Sequence, residues 1–471
     1  MSPADRTRAI VGRQPAGSPD DDADRLAMRN TAKHRLRHFL ADFVRLEQEH
    51  PGVYPHVIVR GEGPYVFDDK GHKLLDAGNN LGANNVGHGR KEIARRIAEQ
   101  AERLEFTALD AGNSHDVAIR FADRLARILP MDDPCISFCG SGSEGNELAV
   151  KLARAHFVLK GQPQRTKILS RTGSYHGSSY GAMAATGIDA FSAGFGPKLG
   201  DFARIPQPSH DRCQYCGNAE SCTLACVDAT EQRIAEEGPD SIAAIIGEPV
   251  PIPQAVKVPP PEYWPRMMAI AKRIGALVIA DEVVNGFGRT GKMFGCDHWG
   301  IRPDIMVMAK GISSGYVPLG AVATSARVNE PFIDKPLLHL NTFAGHPLAC
   351  AAGEATLDIL EREHLVDNAA RLEPVLRSEL ERIGKTVPQL LRVTVIGLMS
   401  STEVDASKVA DLPAFVRRAR HAAYGNGLLV RINPDGTRVS AFFYPPLTVT
   451  RDDIVTGARA LGRAFESAFA G

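Results

Sequence analysis

Two stretches, Leu277-Val278-Ile279-Ala280-Asp281-Glu282-Val283 and Ile305-Met306-Val307-Met308-Ala309-Lys310-Gly311, decide how this chain reads. Each is a short uncharged run that stops on charge: two carboxylates in the first, an amine in the second. Apolar runs of this length, bounded by Gly, Pro or acid, fit strands covered on both faces. Similar runs fall at 135–138, 167–170, 242–246 and 321–324, and from about residue 90 they alternate with stretches of helical periodicity. Strand and helix in alternation predict an α/β domain around a mainly parallel sheet. In such sheets ligands collect beyond the carboxyl ends of the strands, where Asp281 and Lys310 stand.

Outward from this centre the pattern changes. Residues 23–48 carry Leu26, Leu36, Phe39, Leu40, Phe43 and Leu46 near helical spacing, and short strands are predicted at 57–59, 65–68 and 73–75. Beyond about residue 346, two long helical segments accompany strands at 391–396, 428–432 and 439–442. The expected division is a disordered tail over 1–22, an N-terminal helix with small-domain strands over 23–89, a large α/β domain over 90–345, and a smaller α+β domain over 346–471 packed with the N-terminal strands.

Composition narrows the function. The chain has 471 residues, 44% hydrophobic and 23% charged, enough for a large core without disulfide or metal staples. Lys+Arg and Asp+Glu are both 55, which argues against a nucleic-acid binder built on a basic surface. Aromatics at 6% disfavour a base-stacking platform, and no apolar run is long enough to span a bilayer. The N-terminus has Arg6, Arg8 and Arg13 but no apolar run, and Asp20, Asp21, Asp22 and Asp24 come soon after. The expectation is a cytoplasmic protein.

Four places carry chemistry. In Phe138-Cys139-Gly140-Ser141-Gly142-Ser143-Glu144-Gly145-Asn146-Glu147 a strand ends, a Gly/Ser turn comes next and a helix begins; backbone N–H groups freed there suit a phosphate. The same glycines fit G-x-G-x-x-G, and a turn with a capping serine is the plainer reading. Asp281 ends a buried strand, where a carboxylate can hold a ring nitrogen protonated; two solvent-facing acids are the alternative. Lys310 ends a wholly apolar run, a position suited to a Schiff-base amine, or to a lysine that snorkels to water. Asn341-Thr342-Phe343-Ala344-Gly345-His346-Pro347 is a polar turn before a helix, in which Thr342 offers a hydroxyl or merely a cap.

In this order and spacing the four places cease to be independent. The run from Asp281 through Glu282, Val283, Val284, Asn285, Gly286, Phe287, Gly288, Arg289 and Thr290 to Gly291, then Pro303-Asp304 and Lys310-Gly311, resembles the class III (omega) aminotransferases, fold-type I enzymes that use pyridoxal 5′-phosphate. Further matches run from about residue 60 to 450, among them Gly87-His88-Gly89, Tyr175-His176-Gly177, Glu248-Pro249-Val250 and Pro445-Pro446-Leu447. The resemblance implies that Lys310 bonds to the cofactor aldehyde and later moves the proton, and that Asp281 pairs with the pyridinium nitrogen. Val283 and Tyr175 would flank the ring. Ser141, Gly142 and Ser143 would hold the phosphate, with His176 and Glu248 nearby. It implies a homodimer, with Thr342 reaching the neighbouring subunit's phosphate, and small-molecule amine and 2-oxo acid substrates (pyruvate or 2-oxoglutarate), with Arg431 clamping a substrate carboxylate. An aminomutase or epimerase would keep the same motifs.

One segment departs from the family pattern, and a cysteine cluster, of a kind some relatives carry in a loop here, stands apart from the motif. Relatives often show Arg-Gly-x-Gly-Leu where this chain has Thr394-Val395-Ile396-Gly397-Leu398, leaving local support of substrate or cofactor open. Cys213, Cys216, Cys222 and Cys226 crowd into a C-x2-C-x5-C-x3-C cluster. A structural zinc, disulfide or redox chemistry, and reduced loop thiols are the options there. Two other enzyme readings fail on context. A dinucleotide site needs an acid after the strand at 167–170, where Arg171 and Thr172 stand. The G-x-S-x-G match at 177–181 lacks the strand that must immediately precede it.

Overall fold

The computed structural model describes residues 56–470, apart from 79, 111, 209–212, 214, 217–221, 254 and 336. The tail expected over 1–22 and the helix expected over 23–48 lie outside the described residues. Three short strands open the described chain: β1 (Ile58–Glu62), β2 (Tyr65–Asp68) and β3 (Lys73–Asp76), paired in antiparallel succession. Helices α1 (Lys91–Arg103) and α2 (Asp116–Ile128) lead into the large domain.

That domain is a seven-stranded sheet with helices between its strands. In chain order they are β4 (Cys135–Cys139), α3 (Gly142–Leu159), β5 (Lys167–Arg171), α4 (Tyr180–Ala185), β6 (Phe202–Ile205), α5 (Ala225–Glu237), β7 (Ile242–Gly247), α6 (Tyr263–Ile274), β8 (Leu277–Asp281), β9 (Ile305–Met308) and β10 (Gly320–Thr324). The spatial order is β4-β10-β9-β8-β7-β5-β6. β10 alone runs antiparallel to its neighbours β4 and β9; β9, β8, β7, β5 and β6 pair in parallel. Every residue of β7, β8, β9 and β10 is buried, which is why these strands read as unbroken apolar runs rather than alternating ones. The expected α/β architecture with a mainly parallel sheet is therefore the one observed.

A short α7 (Ala326–Asn329) leads toward the long helices α8 (Pro347–Arg362) and α9 (Leu365–Glu381), and then to β11 (Leu390–Ile396), β12 (Met399–Asp405), α10 (Leu412–Gly425), β13 (Leu428–Leu429), β14 (Arg431–Asp435), β15 (Arg438–Phe443) and α11 (Arg451–Ala470). β11, β12, β15 and β14 form an antiparallel sheet in that order. β13 leaves it and pairs in parallel with β3, so N-terminal and C-terminal segments share a sheet.

Three details differ from the sequence-based expectation. The single strand expected over 428–432 is divided at Val430: its first half joins β3, its second joins β15, because the two halves meet different sheet edges. β12 is masked in the sequence by its polar composition: Ser400, Ser401, Thr402 and Glu403 are all buried. Its pairing with β11 and β15 satisfies the backbone that such residues usually place in turns. β6, at the sheet's edge, is too short and too mixed to stand out. Among the described residues no helix is long and apolar enough to cross a membrane.

The core beneath the site is tightly filled. Phe121 of α2 is fully buried and stacks on Phe138, the penultimate residue of β4, at 5.8 Å. Gly353 of α8 faces that ring, and a β-carbon there would lie 2.4 Å from Phe121 Cζ. Helix propensity alone would favour a side chain at this position by under about 1 kcal/mol. Overpacking by a branched residue costs about 1–3 kcal/mol and wins. Gly353→Val is expected to lower the denaturant midpoint by the equivalent of about 1–2 kcal/mol at unchanged slope; an unchanged or raised midpoint would contradict this packing.

Candidate active site

Five parallel strands deliver the candidate residues to one edge of the sheet. β4 ends and the chain turns through Gly140 and Ser141 into α3; β5 ends just before Tyr175 and His176; β7 leads to Glu248; β8 ends on Asp281; β9 leads to Lys310. They line one cavity of about 410 Å3, together with Gly140, Ser141, Gly142, Ser143, Asn146 and Val283 and an outer wall that includes Leu81, Ile252, Val284 and Val317. Its position outside the carboxyl ends of the strands is the one this topology favours for a ligand.

The floor of the cavity is a fixed carboxylate. Asp281 is 3% exposed. Its Oδ2 accepts from Asn146 Nδ2 at 2.9 Å and from His176 Nδ1 at 2.8 Å, and its Oδ1 accepts from the Val283 N–H at 3.1 Å. The His176 contact selects the tautomer with the proton on Nδ1. Asn146 Nδ2 also donates to the His176 carbonyl at 2.7 Å, tying helix α3 to the segment after β5. Among the described residues no Lys or Arg lies within ion-pair distance of Asp281; His176 is its one such partner. A carboxylate this deeply buried favours a cation placed against it.

One wall is held by a second buried acid. Glu248 Oε2 accepts from Arg171 Nη2 at 3.0 Å and its Oε1 from the Tyr175 N–H at 3.0 Å. Arg171, 1% exposed, also donates to the Glu248 carbonyl and stands 5.3 Å from the Trp264 ring. Glu248 thus meets an arginine, and the pair fixes the backbone that presents Tyr175. The Tyr175 hydroxyl meets Ser178 Oγ at 2.8 Å and its ring packs edge-on against Phe191.

The start of α3 forms another part of the cavity lining. Ser141 caps the helix, its Oγ accepting from the Glu144 N–H at 3.3 Å. Gly142 must remain bare, since a β-carbon there would lie 2.9 Å from both Val283 methyls. The helix N-terminus and the Ser141 and Ser143 hydroxyls are donors of the kind that could hold a phosphate.

Lys310 lines the same cavity, in a left-handed conformation (φ 50°) that a non-glycine residue adopts only under local constraint. Burial drives its amine down to about 8; the Asp281 carboxylate opposes that shift and the Arg431 charge adds to it. Arg431 does not line the cavity, but its charge is felt at Lys310 and at Tyr444. Thr342 is exposed and likewise outside this cavity. Its turn is anchored to the cradle: Asn341 Nδ2 donates to Glu144 Oε2 at 2.8 Å, the oxygen that also accepts from the Gly140 N–H.

Residues 47–465 match the family model for class-III aminotransferases. This chain belongs to that family. It is an aminotransferase. It is 34% identical over 412 residues to a diaminobutyrate–2-oxoglutarate transaminase of Halomonas elongata, spanning 84% of this chain and 87% of that one. Its fold is shared with an (S)-enantioselective omega-transaminase from Thermomicrobium roseum (TM-score 0.86, 38% identity, 94% of this chain and 98% of that one). The omega-transaminase of Pseudomonas jessenii in complex with PMP is similar as well (TM-score 0.83, 33% identity, 90% and 95%).

Two residues that sequence reasoning passes over belong to this aminotransferase's site. Asn146 is buried on the inward face of α3, one turn past the Gly/Ser bend, and a polar residue at that spacing is the available signal. Arg171 enters the sequence reading only as the wrong charge for a ribose; an arginine closing a buried strand is itself the sign of a buried acid partner. The segment that departs from the family pattern keeps its second glycine for a reason: Gly397 has φ 56°, and a β-carbon there would lie 2.3 Å from the Thr290 carbonyl carbon.

The four cysteines do not resolve into a metal centre. Among the described residues no three His, Cys, Asp or Glu side chains are arranged to hold a metal ion.

The lowered basicity of Lys310 sets a pH dependence. In cofactor-free protein its amine is expected to react with an aldehyde or acylating reagent half-maximally at about pH 8, well below ordinary lysines, as read by peptide-resolved competitive labelling. Because the folded amine binds its proton less tightly than the unfolded one, this group makes the fold more stable as pH rises from about 8 toward 10.5. Labelling of Lys310 in step with surface lysines would sink this account.

Proposed function

We propose that the enzyme uses pyridoxal 5′-phosphate to move an amino group from a primary amine or ω-amino acid to a 2-oxo acid. The observation that carries this reading is the buried Asp281, which has no Lys or Arg ion-pair partner among the described residues and lines the same cavity as Lys310 and the start of α3. A carboxylate, an amine and an anion-binding helix end correspond to the three handles of that cofactor: ring nitrogen, aldehyde and phosphate. When bound, the cofactor supplies the electron sink that makes the substrate carbon acidic.

The chain's own groups then divide the work. Asp281, clamped by Asn146 and His176, holds the ring nitrogen protonated. Val283 and Tyr175, both in the cavity lining, would flank the ring. Gly142, Ser143 and the first amides of α3 orient the phosphate, with Ser141 capping the helix. Lys310 would bond the cofactor aldehyde at rest, and its freed Nζ would carry the proton from the donor Cα to the aldehyde carbon and, in the second half-reaction, from that carbon to the acceptor carbon. A neutral amine is required for that, and an ammonium whose pKa is near 8 supplies one at little cost. Arg431 offers a planar fork for a substrate carboxylate.

A homodimer fits the outer surface. Ile333, Leu338, Leu340 and Phe343 are exposed in the same segment as Thr342, and a second subunit laid over them would bring Thr342 to the neighbouring phosphate site.

Added pyridoxal phosphate is expected to give a visible band that bleaches on adding an amine and returns on adding pyruvate or 2-oxoglutarate. Lys310→Ala should bind cofactor without a borohydride-reducible bond and lose turnover by at least about 1000-fold; retained turnover would refute its role. Return of the band without any 2-oxo acid would favour an aminomutase. Arg431→Ala should weaken kcat/KM for carboxylate-bearing substrates by about 1.5–3 kcal/mol and leave simple amines nearly unchanged. Equal losses for both classes would remove Arg431 as the clamp.

A further inference from the structure

The cysteine cluster is the feature that transamination does not use. Cys213 and Cys226 are buried, Cys226 in the first turn of α5, whereas Cys216 and Cys222 are partly exposed. The Cys216 and Cys222 sulfurs lie 4.0 Å apart. A disulfide needs about 2.05 Å, so the pair is separated from bond formation by roughly 2 Å of local movement. The Thr223 hydroxyl donates to Cys216 Sγ at 3.3 Å, a contact that favours the thiolate. We propose that Cys216 and Cys222 form a reversible redox pair, with Cys216 the attacking thiol and Cys222 the resolving one.

The oxidant is a small disulfide of the glutathione class. The Cys216 thiolate attacks one of its sulfurs; a mixed disulfide forms and one thiolate of the oxidant leaves. Cys222 then gives up its proton to that departing thiolate and attacks Cys216 Sγ. The protein disulfide forms and the second thiolate of the oxidant leaves, taking up the proton that Cys216 had lost. Two protein thiols are oxidised and one small disulfide is reduced to two thiols.

Four other cysteines contrast with this pair. The hydroxyl of Thr223 and nearby backbone amides bring Cys216 down to about 7, while burial pushes Cys222 upward. Cys139, Cys226 and Cys350 are pushed up to about 12 by burial, and Cys296 rises for the same reason. A low-pKa, accessible thiol beside a partner of higher pKa is the arrangement in which the first attacks and the second resolves.

The holoenzyme, incubated with glutathione disulfide, is expected to lose two hydrogens by intact mass. The link should map to Cys216–Cys222 and be reversed by dithiothreitol, with a rate that climbs through pH 7. Cys222→Ser should trap glutathione on Cys216, and Cys216→Ser should slow oxidation by about tenfold or more. Transaminase activity, measured in parallel under reducing conditions, should match the unsubstituted enzyme in both variants and confirms that each folds. The proposal is overturned if the link maps to Cys213 or Cys226, if Cys222→Ser fails to trap glutathione, or if the purified holoenzyme holds stoichiometric zinc that shields these thiols from the oxidant.

Discussion

A carboxylate sunk in the interior is the constraint around which this molecule is arranged. Asp281 closes a strand whose five residues are all buried, so its charge cannot be met by water. Three donors from three segments converge on it: Asn146 from α3, His176 from the stretch after β5, and the Val283 amide from its own turn. Meeting that demand fixes how α3 lies on the sheet and where the segment carrying Tyr175 runs. It also fixes the start of α3, and with it the amides available to a phosphate. Under the proposed cofactor binding, the same hydrogen bonds would serve the position of the cofactor and the integrity of the fold.

A second buried charge does for the domain contact what Asp281 does for the site. Arg289 is fully buried; it donates to the Leu398 carbonyl at 3.0 Å, to the Pro445 carbonyl, and to Asn85 Oδ1 at 2.8 Å. Asn85 in turn donates to the Phe287 carbonyl at 2.7 Å. One guanidinium therefore joins the loop after β8 to an N-terminal segment, to the β11–β12 turn and to the segment after β15. Burial lowers its pKa to about 10, which still leaves it charged at neutral pH. Arg289 thus serves the contact between segments, though it reads as part of one motif with Asp281.

The large sheet was legible because its strands are covered on both faces, so that β7, β8 and β9 appear as apolar runs ending in charge. The ligand-facing residues could be found for the same reason: in a parallel sheet, the first polar residues past an apolar run are the ones that face the cavity. Legibility failed where physics is set by partners distant in sequence. β12 carries Ser-Ser-Thr-Glu into the interior, and only its pairing with β11 and β15 makes that tolerable. The change of sheets at Val430 leaves no mark in composition, since both halves are ordinary strand sequence. Asn146 and Arg171 looked like any polar residue on a helix or at a strand end until their acid partners, 135 and 77 positions away, came into contact with them.

That change of sheets has a consequence for how the enzyme can be altered. Lys310 and Asp281 belong to the seven-stranded sheet, whereas Arg431 begins the strand that the chain enters after leaving β3's sheet. The cavity's amine and carboxylate therefore stand on one sheet and the guanidinium proposed to meet substrate on another. Under the role proposed for Arg431, substitutions along β14 and β15 would retune donor preference while Lys310 and Asp281 keep their supports on the other sheet.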